Sequence, residues 1–192
     1  LTRATTGGTT NNYGLSAPAV GYINGKIYVG GGYSINSESS NPVDAGKRDR
    51  RELYEYDIAN NTWTLKNSST YSCYYTDYTR PGAVLNSKFY MCGVSYPTEN
   101  TGTVHLQEYD PSSNTWTQKA NHPDSVFMNY TLVSCNNKLW TVGGVSGVLN
   151  SPRSIRSWDP STNTWSSEYS LPSRSEEHTS ELQSPCNLVC RL

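Results

Sequence analysis

The sequence predicts an all-β chain: three four-stranded antiparallel blades, a fragment of a β-propeller. Three observations predict it. One seven-residue stretch recurs as Asp57-Ile-Ala-Asn-Asn-Thr-Trp63, Asp110-Pro-Ser-Ser-Asn-Thr-Trp116 and Asp159-Pro-Ser-Thr-Asn-Thr-Trp165. The copies stand 53 and 49 residues apart, Trp to Trp, a period that four short strands fill. The chain of 192 residues is rich in Tyr, Trp, Gly, Asn, Ser and Thr and poor in helix formers.

Each recurring stretch reads as strand, tight turn, strand. Asp at a turn's first position bonds the backbone two residues on, and Pro111 and Pro160 pre-set φ at the second. Asn61, Asn114 and Asn163 suit a left-handed residue closing the turn. Thr-Trp then resumes strand chemistry, and an aromatic (Tyr56, Tyr109, Trp158) precedes each Asp. A Trp at a fixed offset from a turn reads as structural rather than ligand-stacking.

In chain order, Ala19–Ile23 is a strand and Asn24-Gly25 a type I′ hairpin turn. Lys26–Val29 returns and ends at Gly30, Gly31 and Gly32. After a polar segment, 33–51, comes the strand Glu52–Tyr56. The second copy runs Gly82–Leu85, Asn86-Ser87, Lys88–Cys92, Gly93 and His105–Tyr109. The third runs Thr131–Cys135, Asn136-Asn137, Lys138–Val142, Gly143-Gly144 and Ser154–Trp158.

Leu53, Leu106 and Ile155 stand four before the Asp, and the aromatics one before, so the two sets fall on opposite strand faces. Apolar residues on both faces fit a sheet sandwiched between two others. The paired glycines fit a tight bend or a close blade-to-blade approach.

Asn-Gly-Lys-Ile-Tyr-Val with paired glycines, then Tyr-Asp, then Asn-Thr-Trp, resembles the kelch motif. The resemblance covers residues 1–173, as repeats at 1–65, 66–118 and 119–173. It departs at Val94, where the second glycine belongs, at Trp158, which replaces Tyr, and in about ten extra residues in the first copy. It implies a kelch-type propeller. Such rings hold about four to eight blades, so further blades are expected on the C-terminal and N-terminal sides. Three blades alone leave two sheet faces unpaired.

Residues 174–184 have a different character: they coincide with one reading frame of a widely used sequencing-library adapter. We read 174–192 as a non-native tail and leave it out of the fold reasoning. Glu176, Glu177, His178, Cys186 and Cys190 therefore carry no site. Residues 1–173 hold 13 basic and 13 acidic residues, which is not the charge of a nucleic-acid binder. No run is long enough to span a membrane as a helix.

A four-stranded meander sorts its own links. The 1–2 and 3–4 links share one rim and are short and alike in every copy. The 2–3 links (33–51, 95–104, 145–153) and 4–1 links (66–80, 119–130) share the other rim and differ. A constant rim and a variable rim point to binding at the variable one, and kelch resemblance implies the same. Candidate contacts are Arg48, Arg50 and Arg51, whose guanidinium forks suit acidic groups, with Tyr74, Tyr75, Tyr78 and Arg80. The alternative for the basic cluster is a solvated loop.

His105 and His122 fall near the same rim without metal-motif spacing. Galactose oxidase, a copper enzyme on a kelch-type propeller, uses Tyr and His ligands, but they cannot be placed here residue by residue. No catalytic constellation and no cofactor site stands out. Cys92 and Cys135 read as small buried strand residues, and three cysteines in the body, with Cys73, indicate no disulfide framework. The reading is a non-enzymatic protein-binding module of a larger kelch-repeat protein. The alternative is the propeller of a carbohydrate-active or galactose-oxidase-like enzyme.

Overall fold

The recurring turns are hairpin closures, and they set the architecture. The computed structural model describes residues 17–34, 48–49, 51–71, 82–98, 101–124, 127–146, 154–166 and 169–170. All regular structure among them is β. Blade 1 is β1 (Ala19–Ile23), β2 (Lys26–Gly30), β5 (Leu53–Asp57) and β6 (Thr62–Lys66), in that spatial order. Blade 2 is β7 (Gly82–Leu85), β8 (Lys88–Thr98), β9 (Thr101–Asp110) and β10 (Thr115–Gln118). Blade 3 is β11 (Phe127–Cys135), β12 (Lys138–Ser146), β13 (Ser154–Asp159) and β14 (Thr164–Trp165), with β15 (Tyr169–Ser170) also on β13.

Turn chemistry behaves as read. Asn24 and Gly25, Asn86 and Ser87, and Asn136 and Asn137 all have positive φ, the type I′ requirement that aligns the 1–2 hairpins. The Oδ1 of Asp57 accepts from the N–H groups of Ala59 and Asn60, and those of Asp110 and Asp159 from Ser112 and Ser161. Asn61, Asn114 and Asn163 are left-handed, with φ of 51, 53 and 54°. Each takes a hydrogen bond from the aromatic before the Asp: Tyr56 Oη at 2.7 Å, Tyr109 Oη at 2.9 Å, Trp158 Nε1 at 3.2 Å. That position therefore uses an aromatic ring that carries a donor, and Tyr and Trp both qualify.

Blade 2 is the sandwiched sheet. Consecutive residues Phe89–Gly93 of β8 and Val104–Tyr109 of β9 are all buried, so both faces pack. Phe89, Met91 and Tyr109 face Ala19, Tyr28 and Leu53 of blade 1. Tyr90, Cys92 and Leu106 face Leu132, Leu139 and Trp158 of blade 3. Both residues of each predicted pair, Leu106 with Tyr109 and Ile155 with Trp158, are buried. On blade 1 Leu53 is buried, but Tyr56 is only half so.

Four details differ from the sequence reading. The 95–104 link is no long loop: β8 and β9 continue into it and pair Thr98 with Thr101 beyond an irregularity at Ser95. Polar Thr and Ser stretches pair well enough when a hairpin extends an existing ladder. The 33–51 segment begins and ends in a short pair, β3 (Tyr33–Ser34) on β4 (Arg48–Asp49).

The blades also approach closely at Gly82 of the first strand, where a Cβ would stand 2.7 Å from the backbone N of Val20. Of the motif glycines, Gly31 and Gly32 make the bend, with φ of 64 and 81°, and Gly93 makes a close approach, a Cβ there standing 2.8 Å from the Tyr71 carbonyl oxygen. Cys135 is disulfide-bonded, whereas Cys92 is buried and outside any disulfide. Counting cysteines by spacing could not reveal that bond.

Candidate functional site

Each blade shows two chemically different faces. One carries the aromatic before the Asp and the Trp after it, and we term it the clasp face. The other carries the Lys of the second strand and is the lysine face. The clasp face of blade 2 lies on the lysine face of blade 1, and that of blade 3 on the lysine face of blade 2.

The clasp grips the link that leaves the preceding blade. Trp116 Nε1 donates to the Asn67 carbonyl at 2.7 Å, and Trp165 Nε1 to the Ala120 carbonyl at 2.9 Å. The Asn114 Oδ1 accepts from the Asn67 N–H at 3.0 Å, and the Asn163 Oδ1 from the Ala120 N–H at 2.9 Å. Farther along, the Gln107 amide pairs with the Tyr71 backbone at 2.9 and 3.1 Å. At the equivalent position Arg156 holds Asp124 through two nitrogens at 2.8 and 2.7 Å. Each 4–1 link is thus fixed at its start against the next blade.

Of the seven proposed contact residues, only Arg51 has a described side chain. It is exposed, and its Nη1 lies 3.4 Å from the Thr70 carbonyl, while its own carbonyl takes the Ser69 N–H at 2.8 Å. Arg51 is thus exposed and tied to the start of the 4–1 link. Arg48 is in β4, where only its backbone is described. Arg50, Tyr74, Tyr75, Tyr78 and Arg80 lie outside the described residues.

Sequence reasoning missed a polar cluster beside Arg51. The Tyr71 ring stacks on His105, centroids 3.6 Å apart and planes within 6°. Tyr71 Oη donates to Gln118 Oε1 at 3.2 Å, and Gln118 Nε2 to Asn121 Oδ1 at 2.9 Å. His105 Nδ1 is 3.0 Å from the same Asn121 oxygen. Burial lowers the pKa of His105, partly opposed by the Asn121 contact. The only sequence signal was the matched offset of Gln107 and Arg156 from their turns.

His122 is buried under Trp165, with ring centroids 4.6 Å apart. Its Nε2 lies 3.0 Å from Thr141 Oγ1, and its Nδ1 takes the Asp124 N–H at 3.1 Å. Burial, helped by the Arg156 charge and opposed by Asp124, pulls its pKa down to about 4. It is a neutral joint residue at pH 7. Among the described residues no group of three His, Cys, Asp or Glu is placed to hold a metal.

At the constant rim a cleft of about 510 Å³ opens between blades 1 and 2, lined by Lys26, Tyr28, Glu55, Lys66, Lys88 and Asp110 among others. Glu55 accepts from Tyr28 Oη at 2.6 Å and Lys26 Nζ at 2.7 Å, with Lys66 Nζ at 3.4 Å. Burial alone would raise the Glu55 pKa, but the bonds from Lys26 and Tyr28 and the Lys66 charge leave it lowered. Burial and Glu55 push the Tyr28 phenol up. The carboxylate stays ionised and the phenol stays protonated, so the pair moves no proton near neutral pH.

The arrangement recurs at the next joint. Glu108 takes Tyr90 Oη at 2.5 Å, with Lys119 at 3.1 Å and Lys88 at 3.6 Å. Repetition marks it as the polar heart of a blade joint. On blade 3, Trp140 and Ser157 occupy the Tyr and Glu positions.

The kelch motif profile matches residues 127–171, the third blade. The solved structure described as "Structure of YjhT" is similar in fold, with a TM-score of 0.60 and 17% identity. The similarity covers 82% of this chain and 52% of that one, so the chain spans about half the length of that structure. No curated protein matched the sequence. With the same turn, clasp and face pattern in all three sheets and the kelch motif in the third, the chain folds as three blades of a kelch-type β-propeller.

Proposed function

We propose that this propeller module is a non-enzymatic protein-binding unit whose partner docks on the variable rim, through the 2–3 and 4–1 links. The observation that carries the reading is the anchoring of the 4–1 links at Asn67, Tyr71, Ala120 and Asp124. Loops that differ in sequence but leave from fixed bases suit specific recognition, because less ordering entropy is lost on binding. The exposure of Arg51 beside the Tyr71 cluster supports that reading. Arg48, Arg50, Tyr74, Tyr75, Tyr78 and Arg80 complete the proposed contact set.

The test is a pull-down with Arg50, Arg51 and Tyr74 changed together to Ala, beside the unmodified chain. Loss of a partner with an unchanged melting temperature supports the rim assignment. Retention of every partner overturns it. A carbohydrate-active role is the second reading, favoured by the stacked Tyr71–His105 pair with its amides. It predicts a melting shift with saccharides, which the protein-binding reading does not.

A further inference from the structure

The cleft between blades 1 and 2 holds more ammonium donors than its own carboxylates use. On its blade 1 wall two lysines share one carboxylate: Lys26 Nζ lies 2.7 Å from Glu55 Oε1, and Lys66 Nζ 3.4 Å from Glu55 Oε2. Each ammonium carries three donors, and Glu55 is its one ion-pair partner among the described residues. The Lys66 side chain is only 18% exposed, so that charge is poorly hydrated as well as loosely paired. Asp57, on the same face, turns its carboxylate to its own hairpin, where it accepts from Ala59 and Asn60. On the blade 2 wall Asp110 is matched by Lys88 Nζ at 2.8 Å. With that pair cancelled, Lys26 and Lys66 against Glu55 leave one positive charge over. A Tyr–Glu–Lys group recurs at Glu108, so the group itself belongs to the joint; what the cleft adds is room beside it, about 510 Å³, the size of a small-molecule site.

We propose that this cleft binds a small molecule through one carboxylate group, held by the ammonium groups of Lys26 and Lys66. The carboxylate supplies the charge-assisted acceptor that Glu55 alone cannot give to both lysines. Its single negative charge cancels the one left over. A phosphate monoester would bring a second charge up to Glu55, which Lys26, Tyr28 and Lys66 already hold as a carboxylate. The remainder of the ligand has Ile23 and Pro111 for apolar contact and Asn86 and Ser112 for polar contact. The cleft opens on the constant rim, so this ligand and a partner on the variable rim do not compete for the same surface.

The experiment is an NMR titration of the 192-residue chain with lactate as the carboxylate probe, beside inorganic phosphate and chloride at matched ionic strength. Saturable lactate binding is expected, about fivefold or more tighter than phosphate, and none for chloride. Lys66→Gln should weaken lactate binding about fivefold or more, while Lys66→Arg, which keeps the charge, should hold it within about twofold. Lys119→Gln, at the equivalent position of the next joint and not lining the cleft, should leave it unchanged. Circular dichroism checks that each variant keeps its β signal; if Lys66→Gln unfolds, Lys26→Gln takes its place. No saturable binding of lactate overturns the proposal. Equal weakening by Lys66→Gln and Lys119→Gln overturns the site, and phosphate bound as tightly as lactate overturns the carboxylate assignment.

Discussion

Trp116 reaches back 49 residues to the carbonyl of Asn67, so the last strand of blade 2 is bonded to the chain leaving blade 1. This contact links repeat to repeat, and its worth can be measured. Trp116→Phe keeps most of the ring and removes the donor. We expect a loss of about 1 kcal/mol in denaturant unfolding, the net worth of one hydrogen bond with a hydratable acceptor. Trp63→Phe, at an indole with no acceptor among the described residues, should cost less than half as much. Equal losses would refute a role for the inter-blade bond.

Asn114 does two jobs that two substitutions separate. Its backbone is left-handed, and its side chain accepts from Tyr109 Oη and the Asn67 N–H. Asn114→Gly keeps the conformation and loses the bonds, for roughly 1–2 kcal/mol. Asn114→Ala adds the left-handed penalty of roughly 1–2 kcal/mol. The Ala variant should therefore melt below the Gly variant; the reverse order would mean that the turn relaxes.

Gly82 sets how closely blades 1 and 2 approach. A Cβ there would stand 2.7 and 2.9 Å from the backbone N and O of Val20, which cannot rotate away. Gly82→Ala is expected to cost about 1–3 kcal/mol as an overpacked joint. Gly25→Ala, in open space at φ 81°, strains only its turn. Tryptophan fluorescence should separate the two, because only Gly82→Ala disturbs the joint that holds Trp116.

Acid should weaken the joint between blades 2 and 3. Burial holds His122 down at about 4, against about 6.5 in an unfolded chain. Between those values the unfolded state binds a proton that the folded state refuses. Its stability contribution is thus complete above pH 6.5 and is lost as pH falls toward 4, by at most about 3 kcal/mol. His122→Gln should flatten that part of the stability–pH curve. An unchanged slope would place the titration elsewhere.

Blade architecture was legible because it is written in local chemistry. Asp57, Asn61 and Trp63 announce a turn by offset alone, and the offset recurs. The donor on Tyr56, Tyr109 and Trp158 was visible as residue type, but its target was not, since Asn61 looks like any turn residue. The joints were not legible. Lys26, Tyr28 and Glu55 meet only after β2 and β5 pair, and Gln107 finds Tyr71 only across two sheets. The variable rim was inferred from lengths, and the hairpin at Thr98 and Thr101 shows that length misleads when polar residues can extend a ladder.

Because every blade carries one clasp face and one lysine face, neighbours recognise a face type and not a particular blade. Excising residues 67–119 would bring the lysine face of blade 1 against the clasp face of blade 3, which is the pairing each already uses. Unequal crossing-over between repeats would then yield shorter or longer arrays whose joints still match. Blade number in such a chain is limited by the curvature at which the ring shuts, and gene duplication can change it one whole repeat at a time.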